Sequence, residues 1–457
     1  KSWEKGVLPQ MGPRLGIFKS GFVNYPSLKH DFSLDSNFYP ASPLLKPDEW
    51  QDIVNYFVAT SPDSLPAQQR VHPIKTGLPL FTVQIPGNLY QNAATSYIKI
   101  VSNDSVNPFI ISDAIKQNTY FISNKLQITD SVHTRGGPIV DIDFSQDGML
   151  ACNIGVLNPN NGKFGKGQFL RSNSKSKPPQ DTSAVINGLQ RPVQITSADL
   201  NNDGRKDLLV CEFGFLTGSL SWMENTGNNT YHRHVLRALP GAIKAYIEDY
   251  NQDGLPDIWV LFAQGEEGIF LFTNKGHGNF DQEEVLRFPA VYGSSYFELA
   301  DFNKDGYPDI IYTCGDNADY SPVIKPYHGV YIFMNDKTNH FVQKFFFPIN
   351  GCYKAMARDF DNDGDLDIAA ISFFPDYMRQ PEESFVYLKN MGNFDFLPYT
   401  LPEGHSGRWL VMDVGDIDGD GKIDITLGNF SLKPALNRTN DEWKKLPPFI
   451  ILKNTGK

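Results

Sequence analysis

Five nine-residue stretches of this chain carry acidic or amide side chains at positions one, three, five and nine around a glycine at position six. Hard oxygen ligands at this spacing around a tight turn form the kind of cage that holds Ca²⁺. The expected ligands are Asp199, Asn201, Asp203, Asp207, Asp249, Asn251, Asp253, Asp257, Asp301, Asn303, Asp305, Asp309, Asp359, Asp361, Asp363, Asp367, Asp416, Asp418, Asp420 and Asp424. The sequence therefore predicts about five Ca²⁺ sites, each with a glycine at positive φ.

Details of the stretches refine this prediction. Asparagine at position three lowers the ligand charge by one, so the sites with Asn201, Asn251 and Asn303 are expected to bind more weakly. An EF-hand would need a twelve-residue loop ending in Glu between two helices, whereas β-rich runs follow these stretches. A degenerate copy at 143–151 has Ser145 at position three and Ala151 at position nine, and is not expected to bind. Bound Ca²⁺ is expected to hold the first two strands of a blade together and not to contact a substrate.

The acidity of the chain is mostly local to these stretches. The formal charge is −11, and seventeen aspartates occupy the ligand positions, so that five bound Ca²⁺ would leave about −1. We therefore read the acidity as metal ligation and expect no nucleic-acid partner. No run of apolar residues is long enough to span a membrane.

The expected calcium affinity points to a calcium-rich compartment, either secreted or at the cell envelope, on its extracellular face or in the periplasm. Because Lys1 is not a start methionine, we expect a mature or truncated chain, with room for a lipid anchor upstream.

The spacing of the stretches predicts the fold. Successive first aspartates, counting Asp143, lie 50 to 58 residues apart in a texture of short β-branched and aromatic runs. A period near fifty in an all-β sequence is typical of propeller blades of four strands. Six copies account for six blades, and 95–130 supplies a seventh. The chain stops after the third strand of the last blade, so 81–85 is expected to close the ring as its outer strand.

The predicted class is thus an all-β, seven-bladed β-propeller over residues 75–457, preceded by a small segment, 1–74, with one helix over Pro47–Thr60. The repeats resemble the FG-GAP/VCBS repeats of integrin α-subunit propellers and of many secreted bacterial proteins. This resemblance implies Ca²⁺ on one rim, but it says little of activity, since the fold hosts adhesion, sugar binding and lyase chemistry.

The N-terminal segment carries a second resemblance. The run from Tyr39 to Tyr56 resembles the last helix of a class I c-type cytochrome domain, and 3–16 resembles the stretch after haem attachment. Covalent haem c needs C-x-x-C-H, and the first cysteine is Cys152, so haem is expected only if the motif lies upstream of Lys1. Met11 and His30 are the candidate axial ligands.

Function in propellers tends to lie where loops converge at one end of the channel, here the face opposite the aspartate stretches. Segments before the first strand of each blade offer His133, Arg135, Arg191, Lys244, Tyr292, Tyr353, Lys354, His405, Arg408 and Trp409. Segments after the second strand offer Glu212, Gln264, Glu266, Asp316, Asp319, Tyr320, Phe373, Phe374, Asp376 and Tyr377. Cations and aromatics from several blades would suit an acidic glycan, a carboxylate or a partner loop. Cys314 and Cys352 are also expected there as neighbours, and a disulfide between them is a hypothesis.

Three functions stay open. The first is a calcium-stabilised binding module for a glycan or protein partner, in a cell-surface or outer-membrane complex, since G-x-S-x-G, H-E-x-x-H and phosphate-loop signatures are absent. The second is a polysaccharide lyase, in which Tyr or His removes a proton beside a carboxylate neutralised by Arg. Its candidate residues are His133, His405, Tyr353, Arg191 and Arg408. The third is a redox partner carrying haem upstream of Lys1.

Overall fold

The computed structural model describes most of the chain. The described residues are 3–21, 23–25, 31–62, 65–87, 89–90, 92–101, 107–145, 148–170, 184–228, 230–317, 323–402, 407–430 and 446–456. The chain divides into two compact units, one of 1–68 with 317–326 and one of 69–316 with 327–457.

The first unit contains short helices and one small sheet. Its elements are a π-helical turn (Trp3–Val7), α1 (Leu8–Arg14), β1 (Lys19–Ser20), β2 (Val23–Asn24) and α2 (Pro47–Thr60). The predicted helix is confirmed as α2, and α1 is a second helix that the sequence did not indicate. Trp50 of α2 packs with Leu8, Ile17 and Tyr25 in the core of this unit, and Met11 is partly buried against that core. His30, the other candidate haem ligand, lies outside the described residues.

The second unit is a ring of seven sheets. Two strands precede the first complete sheet, β3 (Lys75–Thr76) and β4 (Phe81–Gln84). Blade 1 comprises β5 (Thr95–Ile100), β6 (Phe109–Asp113), β7 (Asn118–Ile122) and β8 (Ile128–His133). Blade 2 comprises β9 (Ile139–Ser145), β10 (Gly148–Asn153), β11 (Gly165–Leu170) and β12 (Ala184–Leu189). Blade 3 comprises β13 (Pro192–Ala198), β14 (Asp207–Glu212), β15 (Ser219–Gly227) and β16 (Thr230–Arg237). Blade 4 comprises β17 (Ala242–Glu248), β18 (Asp257–Phe262), β19 (Gly268–Asn274) and β20 (Phe280–Arg287).

The remaining blades follow the same order. Blade 5 comprises β21 (Ser294–Ala300), β22 (Asp309–Cys314), β23 (Gly329–Asn335) and β24 (Phe341–Pro348). Blade 6 comprises β25 (Cys352–Arg358), β26 (Asp367–Ser372), a 3-10 turn (Pro381–Ser384), β27 (Phe385–Asn390) and β28 (Phe396–Thr400), with β3 paired in parallel to β28. Blade 7 comprises β29 (Trp409–Gly415), β30 (Asp424–Asn429) and β31 (Phe449–Asn454). The predicted seven-bladed all-β propeller is confirmed.

The ring closes as the sequence predicted. Strand β4 pairs antiparallel with β31, with Phe81 opposite Asn454 and Gln84 opposite Ile451. The first strands of successive blades contact one another around the whole ring, including β29 with β5, so they form the wall of the central channel. Closure gives the edge of β31 a hydrogen-bonded partner, which removes an exposed sheet edge.

Each blade is built around its second strand. All six residues of β14, β18, β22, β26 and β30 are buried, which explains why an apolar run follows each aspartate stretch. These strands are covered on both faces, as propeller blades stack face to face. Burial of this kind is the main source of stability in the ring.

The cysteine hypothesis is wrong. All four cysteines are buried and none forms a disulfide, so Cys314 and Cys352 are not bonded to each other. Burial raises the pKa of the Cys352 thiol, and the nearby Cys314 raises it further, so the two lie near each other as expected and the Cys352 thiol stays protonated. Among the described helices, none is long and apolar enough to cross a membrane.

Ring closure can be tested at Phe81. This side chain is buried and packs edge-on against Phe360 and Tyr387, with ring centroids 5.6 and 5.3 Å away. We expect Phe81→Ala to lower the free energy of unfolding by about 3–5 kcal/mol in urea denaturation of the full chain. The exposed neighbour Thr82 provides the control, and Thr82→Ala should change stability by less than about 0.5 kcal/mol. Equal effects of the two variants would contradict closure through β4.

Candidate functional sites: the aspartate loops and the opposite face

The five aspartate stretches form one repeated structure. Each is an eight-residue loop between the first and second strands of blades 3 to 7, and its ninth residue opens the second strand. The glycine at position six has positive φ in every loop, between 79° and 97°, as predicted. Position four also has positive φ, at Asn202, Gln252, Lys304, Asn362 and Gly419, which the sequence did not indicate.

The first aspartate of each loop organises the turn. In the loop of blade 3, Asp199 accepts the backbone N–H of Asp203 through Oδ1 at 3.1 Å and that of Gly204 through Oδ2 at 2.8 Å. The same pair of bonds recurs at Asp249, Asp301, Asp359 and Asp416. Because the loop wraps around this carboxylate, the side chains at positions three and five are brought to the same side.

The ninth aspartate is buried and ties two strands together. Asp207 Oδ1 accepts the backbone N–H of Asn225 at 2.7 Å, where β15 ends, and Oδ2 accepts that of Leu200 at 3.0 Å. The first bond recurs from Asn274, Asn335, Asn390 and Asn454 to the ninth aspartates of the other loops. Burial raises the pKa of each ninth carboxyl, and that of Asp367 reaches about 7.

These asparagines form a clasp that the sequence showed only as turn residues. The amide of Asn225 also donates to the carbonyl of Lys206 at 3.0 Å, and its Oδ1 accepts the N–H of Gly227 at 3.0 Å. Equivalent bonds hold Asn274, Asn390 and Asn454. The Asn-x-Gly spacing that marks the end of the third strand was the available signal.

In two loops three carboxylates converge. One oxygen each of Asp359, Asp361 and Asp363 lie within 4.8 Å of one another, and the same holds for Asp416, Asp418 and Asp420. Such a set of hard oxygens could hold a cation. The degenerate copy differs: β9 runs to Ser145, which pairs directly with Gly148 of β10, so the eight-residue loop of the other blades is absent between these paired residues.

Two lysines that the sequence reasoning missed contact these loops. Lys389 lies 2.6 Å from Asp361, and Lys453 lies 2.5 Å from Asp418 and 3.3 Å from both Asp420 and Asp424. Each lysine precedes the clasp asparagine on the third strand, so both occupy the same place in their blades. Their partners raise the pKa of both lysines, which therefore stay charged.

At the opposite end of the blades, cationic and aromatic side chains converge on Phe373. Its ring lies 5.9 Å from Tyr353, 4.8 Å from Phe374 and 5.9 Å from Phe430, and the Arg408 guanidinium lies 4.2 Å above it. We call these five residues the Phe373 cluster. They follow or precede strands of blades 6 and 7 at the ends remote from the aspartate loops. The predicted convergence is thus found for Tyr353, Phe373, Phe374 and Arg408.

Arg191 of blade 3 is linked to this cluster through Leu157, which packs against the same small core as Phe373 and Phe430. Its guanidinium donates to the carbonyl of Leu157 at 3.1 Å and lies 5.6 Å from the centroid of the Phe213 ring. Burial raises the pKa of Tyr353, the charge of Asp316 raises it further and the charge of Arg191 lowers it, so charges of both signs act on this tyrosine. Three blades therefore contribute to this end of the channel.

Other predicted ligand residues lie elsewhere. Trp409 is 1% exposed and packs in the core of blades 6 and 7, so its side chain does not reach the face. His133 ends the outermost strand of blade 1 and hydrogen-bonds Asn118 at 2.8 Å, and Arg135 is exposed in the connection to blade 2. His405, Asp319 and Tyr320 lie outside the described residues.

Lys354 points into the channel. Its ammonium donates to the carbonyl of Met412 at 2.8 Å and lies 4.8 Å from the Tyr296 ring centroid. Burial lowers the pKa of Lys354 to about 8. Two ion pairs line the same wall, Lys99 with Asp413 at 3.2 Å and Arg358 with Glu298 at 2.5 Å. These groups tie neighbouring blades together inside the channel.

Comparison with known proteins gives three findings. A model described as FG-GAP-like repeat matches residues 199–260, 249–312 and 359–427, and these ranges include all five aspartate loops. Cartilage acidic protein 1 of Xenopus tropicalis is 30% identical over 189 residues, which cover 37% of this chain and 26% of that protein. The chain thus matches about a quarter of the length of this curated relative.

Among solved structures, the WD40 domain of Neurospora crassa Pan2 is similar over 83% of this chain and 97% of that domain, at 11% identity and a TM-score of 0.47. This likeness is too weak to carry an argument. The repeat matches coincide with the loop-bearing blades that the structure defines. The chain is therefore a seven-bladed β-propeller that is similar to FG-GAP-like repeats at the aspartate loops of its third to seventh blades.

Proposed function

We propose that this propeller is an interaction module stabilised by Ca²⁺ in its five aspartate loops, which engages a glycan or protein partner through the opposite face. The observation that carries the proposal is the Phe373 cluster at the end of the channel remote from the loops, where the Arg408 guanidinium lies above the Phe373 ring. Arg191 of blade 3 joins it through Leu157, which packs against the same small core as Phe373. A guanidinium beside an aromatic face suits a carboxylate attached to a sugar ring or to an apolar side chain.

The calcium part of the proposal rests on charge and chemistry. Three or four carboxylates in each loop repel one another, and their oxygens are ligands that Ca²⁺ prefers. In the two loops with aspartate at position three, three carboxylate oxygens already lie within 4.8 Å of one another. Bound Ca²⁺ would neutralise these groups and hold the first two strands of a blade together. Loops of this type fill where Ca²⁺ is abundant, which favours a secreted or cell-envelope location.

The lysines change the expected order of affinities. Both loops with aspartate at position three have a half-buried or buried lysine bound to that aspartate, Lys389 to Asp361 and Lys453 to Asp418. One ammonium offsets the additional carboxylate in each of these loops. In blades 3 and 5, Arg205 and Lys337 pair with the aspartates at position five, Asp203 and Asp305, so the residue at position three does not by itself set the order of affinities. The equivalent third-strand residues in blades 3, 4 and 5 are Glu224, Thr273 and Met334.

The Phe373 cluster is suited to recognition because part of it is accessible to solvent. Tyr353, Phe373 and Phe374 are half-buried, and Met378 nearby in the chain is 72% exposed. Arg408 is buried beneath this surface, where it orients the Phe373 ring. The lyase alternative has less support, since His133 lies on the outermost strand of blade 1, away from the channel wall.

The calcium proposal predicts an effect of Lys389. We expect Lys389→Met to tighten Ca²⁺ binding at the loop of blade 6 by about tenfold, because a competing cation is removed from Asp361. The backbone amide of Gly364, which donates to Asp359 at 3.0 Å, gives a site-resolved readout in a Ca²⁺ titration followed by NMR. Lys125→Met, an exposed change in blade 1, is the control. An unchanged or weaker midpoint at Gly364 would argue against a cation site there.

Recognition can be tested on the opposite face. Binding to an array of uronate-containing glycans, and to candidate proteins from the cell surface, would be measured with Ca²⁺ present. Arg191→Gln and Phe374→Ala should each weaken the observed binding at least tenfold, through loss of charge and of ring contact. Arg287→Gln removes one positive charge from an exposed position on the outer strand of blade 4, and it should leave the binding intact. Binding that all three variants retain would exclude this face as the site.

A further inference from the structure

Outside the aspartate loops, blade 3 holds a cluster of two histidines and one glutamate on a single face of its outer hairpin. His232 and His234 lie two residues apart on β16, so both side chains project to the same side of the strand. Glu224 of β15 lies directly opposite His232 in the antiparallel register, and Trp222 lies opposite His234. Arg233, between the two histidines, points to the other side and pairs with Glu212.

The ligand atoms of these three side chains converge. His232 Nδ1 lies 3.0 Å from His234 Nε2, His234 Nε2 lies 2.8 Å from Glu224 Oε2, and His232 Nδ1 lies 4.0 Å from the same oxygen. Zinc bonds to imidazole nitrogen and carboxylate oxygen at about 2.0–2.2 Å. Each pair of atoms is therefore close enough to share one ion.

Hydrogen bonding alone accounts poorly for this arrangement. His234 Nε2 carries at most one proton. With that proton it faces the Glu224 carboxylate and the His232 ring nitrogen at once, and without it its lone pair faces the carboxylate. If both ring nitrogens were protonated, the two N–H groups would point at each other. A cation between the three atoms would bond all of them at once.

Neighbouring groups hold two of the three side chains, His234 and Glu224, in place. The His234 ring stacks on Trp222 with centroids 4.5 Å apart and an interplanar angle of 16°. The other oxygen of Glu224 faces the amide of Asn201 at 3.4 Å, so the third position of the blade 3 loop orients this glutamate. Supports of this kind fix the direction of metal ligands.

We propose that Glu224, His232 and His234 form a site for a divalent transition-metal ion, with Zn²⁺ as the ion best matched to two imidazoles and one carboxylate. Imidazole is a ligand that Zn²⁺ accepts and Ca²⁺ avoids, so this site is chemically distinct from the aspartate loops. The side chains of His232 and His234 are 68% and 37% exposed. Three protein ligands at an accessible position leave room for water or for a ligand from a partner.

The test is calorimetric titration of the untagged full chain with ZnCl₂ in saturating CaCl₂, which occupies the aspartate loops. We expect one saturable Zn²⁺ site per chain, weakened at least tenfold in His234→Gln and in Glu224→Gln. His277→Gln, an exposed histidine at the hairpin turn of blade 4, should bind as the unaltered chain does.

A second readout reports the ligands directly. Co²⁺ added in place of Zn²⁺ should give visible ligand-field absorption, which Glu224→Gln alters and His277→Gln does not. His232→Gln, at the most exposed of the three positions, tests the site if His234→Gln unfolds. The proposal would be overturned if the unaltered chain had no saturable site. It would also be overturned if His232→Gln and His234→Gln bound Zn²⁺ as tightly as the His277→Gln control.

Discussion

Each loop-bearing blade depends on the hydrogen bonds that the carboxylate of the ninth loop residue accepts. This carboxylate is buried at the start of the second strand and accepts a backbone N–H from the clasp asparagine at the end of the third strand. A buried carboxylate is costly unless hydrogen bonds or a cation compensate it. This constraint explains why the loop, the second strand and the clasp asparagine recur together in blades 3 to 7, since each supplies a group that bonds to the aspartate or buries it.

The same constraint makes the two ends of the propeller different. At the loop end, carboxylates and lysines are committed to one another and to the backbone, so little is left for a partner. The opposite end carries no such repeated requirement. Its segments differ from blade to blade, and they bring together the Phe373 cluster and Arg191. The repeated loops fix the residues at one end of the propeller, whereas the residues at the other end can vary. We therefore propose that recognition takes place at the end that holds the Phe373 cluster.

Much of the fold followed from sequence because it rests on repeated local chemistry. Spacing of the aspartate stretches gave the blades, and the incomplete last blade required an outer strand that β4 supplies. The residues of the candidate ligand face were harder to predict, because burial there depends on packing between blades. Trp409 was predicted as a loop residue but lies in the core, and Lys354 turns into the channel. Lys389, Lys453 and the clasp asparagines were missed for a related reason. Their partners lie across strands, and only the register of the third strand brings them to the loops.

The central claim is that the aspartate loops hold Ca²⁺, and counting the bound ions tests it most directly. Equilibrium dialysis of the full chain against ⁴⁵Ca²⁺, with excess Mg²⁺ to suppress weak surface binding, should give about five ions per chain. Asp367→Asn should lower that number by one, since it removes the ninth carboxylate of a single loop. A chain that binds no Ca²⁺ under these conditions would contradict the claim, and the loops would then be held by their hydrogen bonds and lysines alone.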